Sequence, residues 1–211
     1  VLSNFDPQVL AILMEAQRHG VIGKASLDTH IDQAQAFFSF VANRVEPDAH
    51  VLDLGSGGGL PGLVIAATWP SLSLTLLDGR SSRAESLAIS IDGLAWGGRV
   101  KIIGQRAEEA GRESRYRAAY DLVVARGFGP PAVTAECAAP FLKVGGLLVV
   151  SDPPGGGGTQ RWSEDGCALL GLEVETSQVD PWAFTALRQN HLCGDLYPRR
   201  TGLPLKRPLF S

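Results

Sequence analysis

Between Val51 and Gly62 the chain reads Val-Leu-Asp-Leu-Gly-Ser-Gly-Gly-Gly-Leu-Pro-Gly, a short apolar run that meets an acidic residue and then five glycines between 55 and 62. An ordinary strand-to-helix turn needs one or two glycines. So many in one loop let backbone pass where a Cβ would collide with a ligand, and a helix that starts directly afterwards has unpaired N–H groups to offer. The segment therefore predicts a strand, a ligand-cradling loop and a helix, the opening unit of an α/β fold that binds a nucleotide-like cofactor.

The rest of the chain keeps that rhythm. Strands are expected at 50–54, 73–78, 99–104, 120–124, 145–151, 172–177 and 184–192, with helices at 60–68, 82–95, 131–142 and 160–170. Runs such as Leu147-Leu148-Val149-Val150 are apolar almost throughout, as strands covered by helices on both faces must be. Ser82-Arg83-Ala84-Glu85 reads as a capping box. Two helices precede this core. Asp6-Pro7 starts one that stops at Gly20, and a second runs from about Leu27 to Arg44 before Glu46-Pro47-Asp48. The expected fold is Rossmann-like: a mostly parallel seven-stranded sheet with helices on both faces behind an N-terminal helical pair. One domain is expected, with a helical extension at 1–47, a cofactor-binding core at 48–195 and a basic tail at 196–211.

At 211 residues and 45% apolar content the chain is long enough for one substantial core. A net charge of −3 argues against an all-over basic coat, yet nothing acidic follows Asp195 while Arg199, Arg200, Lys206 and Arg207 do. Cys137, Cys167 and Cys193 are far apart and form no metal or disulfide pattern, nor do the four histidines show metal spacing, so no metal is expected. The opening Val1-Leu2-Ser3-Asn4-Phe5 lacks the pattern of a secretory leader, and no run approaches a membrane span, which points to a cytoplasmic protein with no membrane partner. Asp152-Pro153-Pro154 followed by four glycines is the one low-complexity stretch, expected as a mobile loop.

The residues that close each strand carry the cofactor question. Asp53 opens the glycine loop, and Asp78, closing the second strand, is placed to accept ribose hydroxyls. Gly57-Gly58-Gly59-Leu60-Pro61-Gly62 also satisfies the dinucleotide pattern G-x-G-x-x-G. A dinucleotide would set its pyrophosphate against Asp53, whereas S-adenosylmethionine carries a sulfonium and an ammonium group that an acidic residue favours. Methyl transfer is therefore the leading reading and nicotinamide chemistry the alternative, with Asp53, Gly55, Ser56, Gly57, Gly59 and Asp78 as candidate cofactor contacts.

Together with the loop, Arg106-Ala107-Glu108, Val123-Val124-Ala125-Arg126 and the closing Tyr197-Pro198-Arg199-Arg200-Thr201-Gly202-Leu203-Pro204-Leu205-Lys206-Arg207-Pro208-Leu209, the chain resembles the small-subunit ribosomal RNA guanine-N7 methyltransferase family, also called glucose-inhibited division protein B. The resemblance implies a class I methyltransferase fold, S-adenosylmethionine as cofactor, and 16S ribosomal RNA or the 30S subunit as partner. It also implies that Gly55 and Leu60 line the cofactor pocket, that Ala107 and Glu108 bracket the adenine, and that Arg126 completes the site as its catalytic residue. The chain departs from the family pattern where Ser82 replaces a lysine, where Ser151-Asp152-Pro153-Pro154 replaces a lysine-glycine pair, and where Gly23-Lys24-Ala25 stands for an Asn-Leu-Thr segment. These departures leave open a methyltransferase of the same fold acting on another RNA, a small molecule or a protein.

Guanine N7 presents its lone pair in the ring plane, so its methylation needs alignment and no general base. Arg126 is expected to orient the partners, and Arg199, Arg200, Lys206 and Arg207 to meet RNA phosphates. Trp69, Trp96, Trp162 and Trp182 are expected in the core or at its boundary rather than in the site.

Overall fold

A computed structural model describes residues 5–94, 96, 98–155, 158–178 and 180–211. The leader reading at residues 1–4, the predicted helix end at 95 and the centre of the glycine stretch at 156–157 lie outside them.

Asp6 accepts from the N–H groups of Gln8 and Val9 and so caps α1 (Pro7–Arg18), whose proline sits where no donor is missed. Ser26 caps α2 (Leu27–Val41) by accepting from Thr29, and the helix ends three residues before the predicted Arg44 because Ala42–Arg44 tightens into a turn. The core then runs β1 (His50–Leu54), α3 (Gly62–Thr68), β2 (Ser73–Leu77), α4 (Ser81–Asp92), β3 (Val100–Ile103), α5 (Ala107–Ala110), β4 (Tyr120–Ala125), α6 (Pro131–Ala138), β5 (Leu142–Ser151), α7 (Glu164–Ala168), β6 (Leu172–Gln178), β7 (Phe184–Gln189) and α8 (Leu203–Lys206).

The seven strands lie in the order β3-β2-β1-β4-β5-β7-β6, the first five parallel and β7 antiparallel to both its neighbours. The chain order reverses between β1 and β4, which opens a crevice beyond their C-terminal ends. Alternation along the strands feeds two cores. Val51, Leu74 and Leu76 pack with α1 to α4 on one face, and Leu52, Leu54 and Leu77 pack with α5 to α7 on the other.

Three local expectations change. The capping box at Ser82 does not form, because Asp78 Oδ1 accepts from Arg80 N at 2.8 Å and this tight Asp turn lets α4 begin at Ser81 with no side-chain cap. Arg106-Ala107-Glu108 opens the short helix α5 instead of closing a strand. The single helix predicted over 160–170 is a 3₁₀ turn (Gly158–Arg161) and α7, divided by Ser163, whose hydroxyl accepts from Gly166 N. The final residues return to the core: Leu209 and Phe210 pack on the α6/α7 face, and a Cβ on Gly166 would lie 2.2 Å from Phe210 Cδ1.

Candidate active site

The glycine loop begins where β1 ends, and the N–H groups of Gly55 and Ser56 both donate to Leu77 O, at 2.8 and 3.0 Å, tying the loop to the tip of β2. The protein itself uses much of the missing Cβ space. A Cβ on Gly58 would lie 2.7 Å from Ile22 Cγ1, and one on Gly59 2.5 Å from Leu63 Cδ1. Those positions admit the N-terminal helices and α3, so the expectation that Gly59 clears space for a ligand is corrected. Gly57, at φ +52°, meets nothing nearer than Gly55 O at 3.9 Å and is the position open to a ligand.

A cavity of 220 Å³ lies over the loop, lined by Gly55, Ser56, Gly57, Leu60 and Arg126 and walled by Val21, Ile22 and Gly23 from the α1–α2 connection. Asp53, Asp78, Ala107 and Glu108 are not part of its lining. Asp53 is completely buried under the loop, where Oδ2 accepts from Gly62 N at 2.8 Å. Asp78 accepts from Gly57 N at 2.9 Å through Oδ2 as well as from Arg80 N, so its carboxylate braces the loop from behind. Ala107 is buried and Glu108 turns its Oε1 to Gly202 N at 2.9 Å, away from the cavity lining.

The electrostatics of the cavity come from one buried acid, Asp53, and one half-buried cation, Arg126. Burial is the main cause that pushes the Asp53 carboxyl up to about 7, against the Gly62 N–H and the Arg126 charge, which hold it down. Arg126 follows β4; its burial lowers the guanidinium pKa and the Asp53 charge opposes that. Arg126 Nη2 donates to His30 Nδ1 at 2.5 Å, and His30 Nε2 donates to Gly23 O at 3.1 Å, an arrangement that requires the neutral Nε2–H tautomer. Asp53 Oδ1 and Arg126 Nη1 are both buried with no partner among the described residues. Native structures seldom leave such atoms unmatched unless something else meets them. His30 escaped the sequence reading because it looked like one more core histidine; its spacing to Arg126 in the chain, 96 residues, gave no signal.

Arg126 and Gly127 also line a second cavity of 330 Å³ beyond the ends of β4 and β5, with Phe128, Asp152, Arg161 and Trp162. Trp162, expected in the core or at its boundary and not in the site, is buried and also forms part of this wall. Asp152 is buried, accepting from Arg161 Nη1 and Thr185 Oγ1 at 2.5 Å each.

The tail cations separate into two kinds. Arg199 does not face solvent with its donors: Nε and Nη2 bind Glu136 Oε1 and Oε2 at 2.8 and 2.6 Å, its own N–H adds a third bond at 2.8 Å, and Nη2 also reaches Arg207 O at 2.7 Å. Glu136 is fully buried, so Arg199 neutralises an interior charge and is removed from the expected RNA contacts. Arg200, Lys206 and Arg207 remain exposed.

A seven-stranded sheet of this order, with a glycine loop at its switch point and an acidic residue closing each of the first two strand units, defines the Rossmann-like fold of the class I methyltransferases. Solved structures agree on the fold. A Corynebacterium glutamicum protein superposes with a TM-score of 0.60 at 19% identity, covering 89% of this chain and 92% of that one. A T. thermophilus 16S rRNA N2 G1207 methyltransferase in complex with AdoMet and guanosine gives 0.51 at 22% identity, covering 82% and 41%. The chain belongs to the rRNA small subunit methyltransferase G family, whose model matches residues 24–151. The ribosomal RNA small subunit methyltransferase G of Moorella thermoacetica is 32% identical over 177 residues, covering 81% of this chain and 73% of the relative.

Proposed function

We propose that the protein transfers the methyl group of S-adenosylmethionine to N7 of a guanine in small-subunit ribosomal RNA. The observation that carries the cofactor assignment is the pair of unmatched buried atoms beside the loop cavity, Asp53 Oδ1 and Arg126 Nη1. A ligand with an ammonium and a carboxylate on one carbon suits both, the Asp53 charge acting from beneath the loop and Arg126 from the cavity wall, whereas a pyrophosphate would lie over a buried carboxylate. Gly55, Ser56, Gly57 and Leu60 hold the ligand's body. Each Asp78 oxygen keeps a lone pair for the ribose beyond its bond to the loop, and the backbone at Ala107–Glu108 is left for the adenine. The ribosomal target rests on family membership and on the activity for which the relatives are named. Among the described residues no helix is long and apolar enough to cross a membrane and no group of side chains is placed to hold a metal.

S-adenosylmethionine, when bound, supplies a methyl activated on a sulfonium. Held over Gly55, Ser56, Gly57 and Leu60, it would offer that methyl to the in-plane lone pair of a base nitrogen, a transfer for which the chain would need to supply no proton acceptor. The chain's own contribution is positional. Asp53 favours a cation in the first cavity, and Arg126 stands at the junction of the two cavities with its fork held by His30. Tritium transfer from labelled S-adenosylmethionine to purified 30S subunits, compared with naked RNA and small acceptors, tests the reaction. S-adenosylhomocysteine should raise the melting temperature by ligand linkage and NAD should not; a stabilisation by NAD alone would reverse the cofactor assignment.

Asp53 also sets a pH dependence. Its carboxyl, raised to about 7 in the free protein, binds a proton that the unfolded chain gives up at lower pH, so its effect on stability is most favourable below the unfolded value and fades as pH rises to about 7. A cationic ligand favours the ionised form and expels that proton. Affinity for S-adenosylmethionine is therefore expected to climb between pH 5 and 7, by up to about tenfold per unit, and to level off above. Isothermal titration across that range checks it, and Asp53→Asn should flatten the profile.

A further inference from the structure

Two neighbouring cavities that share Arg126 and Gly127 offer what a group transfer requires: room for the donor in one, room for the acceptor in the other, and a shared wall at which the transferred carbon can pass. Resting on the methyl-transfer reading, we propose that the cavity lined by Arg126, Phe128, Asp152, Arg161 and Trp162 is the acceptor-base pocket, that it takes a guanine, and that Arg161 is the residue that selects it.

The selectivity follows from the polarity of the wall. Asp152 is the one acid lining the cavity among the described residues, and each of its oxygens is already engaged, one by Arg161 and one by Thr185. This anchors the guanidinium through Nη1, and Arg161 makes no other hydrogen bond among the described residues, so Nε and Nη2 remain available. Trp162 Nε1 is buried without a partner among the described residues. Arg126, Arg161 and Trp162 can only donate, while Gln33 and Ser151 can act either way. A donor-rich wall suits a base edge made of acceptors. The Hoogsteen edge of guanine carries O6 beside N7, and that of adenine puts an amino donor in the place of O6. With N7 directed at the junction to receive the methyl, O6 is left for Arg161. The half-buried ring of Phe128, which reaches back to the glycine loop, provides the apolar face on which a base removed from its stack can lie. The Asp-Pro turn and Arg161 are thus a base-reading device in the segment where this chain departs from the family pattern.

The test uses the full chain saturated with S-adenosylhomocysteine and titrates guanosine and adenosine into wild type, Arg161→Gln and the double variant D152N/R161Q. The double variant removes the buried carboxylate charge together with its partner and so protects against a mere folding defect. Wild type should bind guanosine at least about tenfold better than adenosine, and both variants should lose that preference while their affinity for S-adenosylhomocysteine stays within about twofold. Equal binding of the two nucleosides by wild type, no binding of guanosine, or an unchanged preference in both variants overturns the assignment. Parallel tritium transfer to 30S subunits separates the two readings. Arg161-dependent guanosine binding without transfer would sustain the pocket and remove the ribosomal substrate.

Discussion

Arg126→Ala is expected to lower methyl transfer by about a hundredfold or more, with little change in melting temperature. The side chain stands on the wall between the two cavities, one nitrogen held by His30 and another unmatched, so its loss removes both a donor to the reacting partners and the fixed geometry that aligns them. Arg126→Lys should recover little, since a single ammonium cannot bind His30 and a ligand in the same planar fork. His30 supplies the control. His30→Asn places an amide oxygen near the position of Nδ1 and should retain more activity than His30→Ala, the difference falling in turnover and leaving the binding of S-adenosylhomocysteine nearly unchanged. Single-turnover kinetics with labelled cofactor reads all four variants, and wild-type turnover in the Arg126→Ala protein would remove the arginine from the mechanism.

Arg199→Ala should be the most destabilising change in the tail. It strips a fully buried Glu136 of a bidentate partner and leaves only the backbone N–H at position 199 to face the charge. Breaking a buried pair from one side costs about 3–5 kcal/mol, which for a chain of this size lowers the melting temperature by roughly 10 °C. The companion double variant E136L/R199L, which removes both charges, should regain most of that loss. The exposed Arg200 provides the contrast: Arg200→Ala should stay within about 0.5 kcal/mol of wild type and show its effect in salt-dependent RNA binding instead. Thermal and urea denaturation of the three proteins decides the matter; an Arg199→Ala protein as stable as wild type would mean that the tail is not latched to the core.

What could be read before folding was whatever local pattern dictates. The strand–loop–helix at 51–62 and the apolar strands at 73–77 and 147–150 signal the sheet, because a strand buried on both faces has almost no choice of composition. The loop residues at 55–57, Leu60 and Arg126 come together in one cavity because the loop follows β1 and Arg126 follows β4, the two strands that meet at the switch point. The other features depend on contacts that spacing does not encode. Gly59 looks like a ligand-facing glycine until Leu63 is seen against it. Arg199 belongs to a run of tail cations, and nothing in that run reveals a buried glutamate 63 residues earlier. Arg161 and Trp162 lay in a predicted helix, and only the Ser163 cap, which ends one turn and begins the next, brings them to the second cavity.

The hydrogen bond from Gln17 to the carbonyls of Gly23 and Ala25, at 2.9 and 2.8 Å, shapes the same short connection that closes the loop cavity from above. Occupancy of the site is therefore sensed outside the sheet. A molecule entering that space must displace or be clasped by residues 21–23, so amide exchange in the two leading helices should slow on complex formation, making a region outside the sheet a convenient reporter of it.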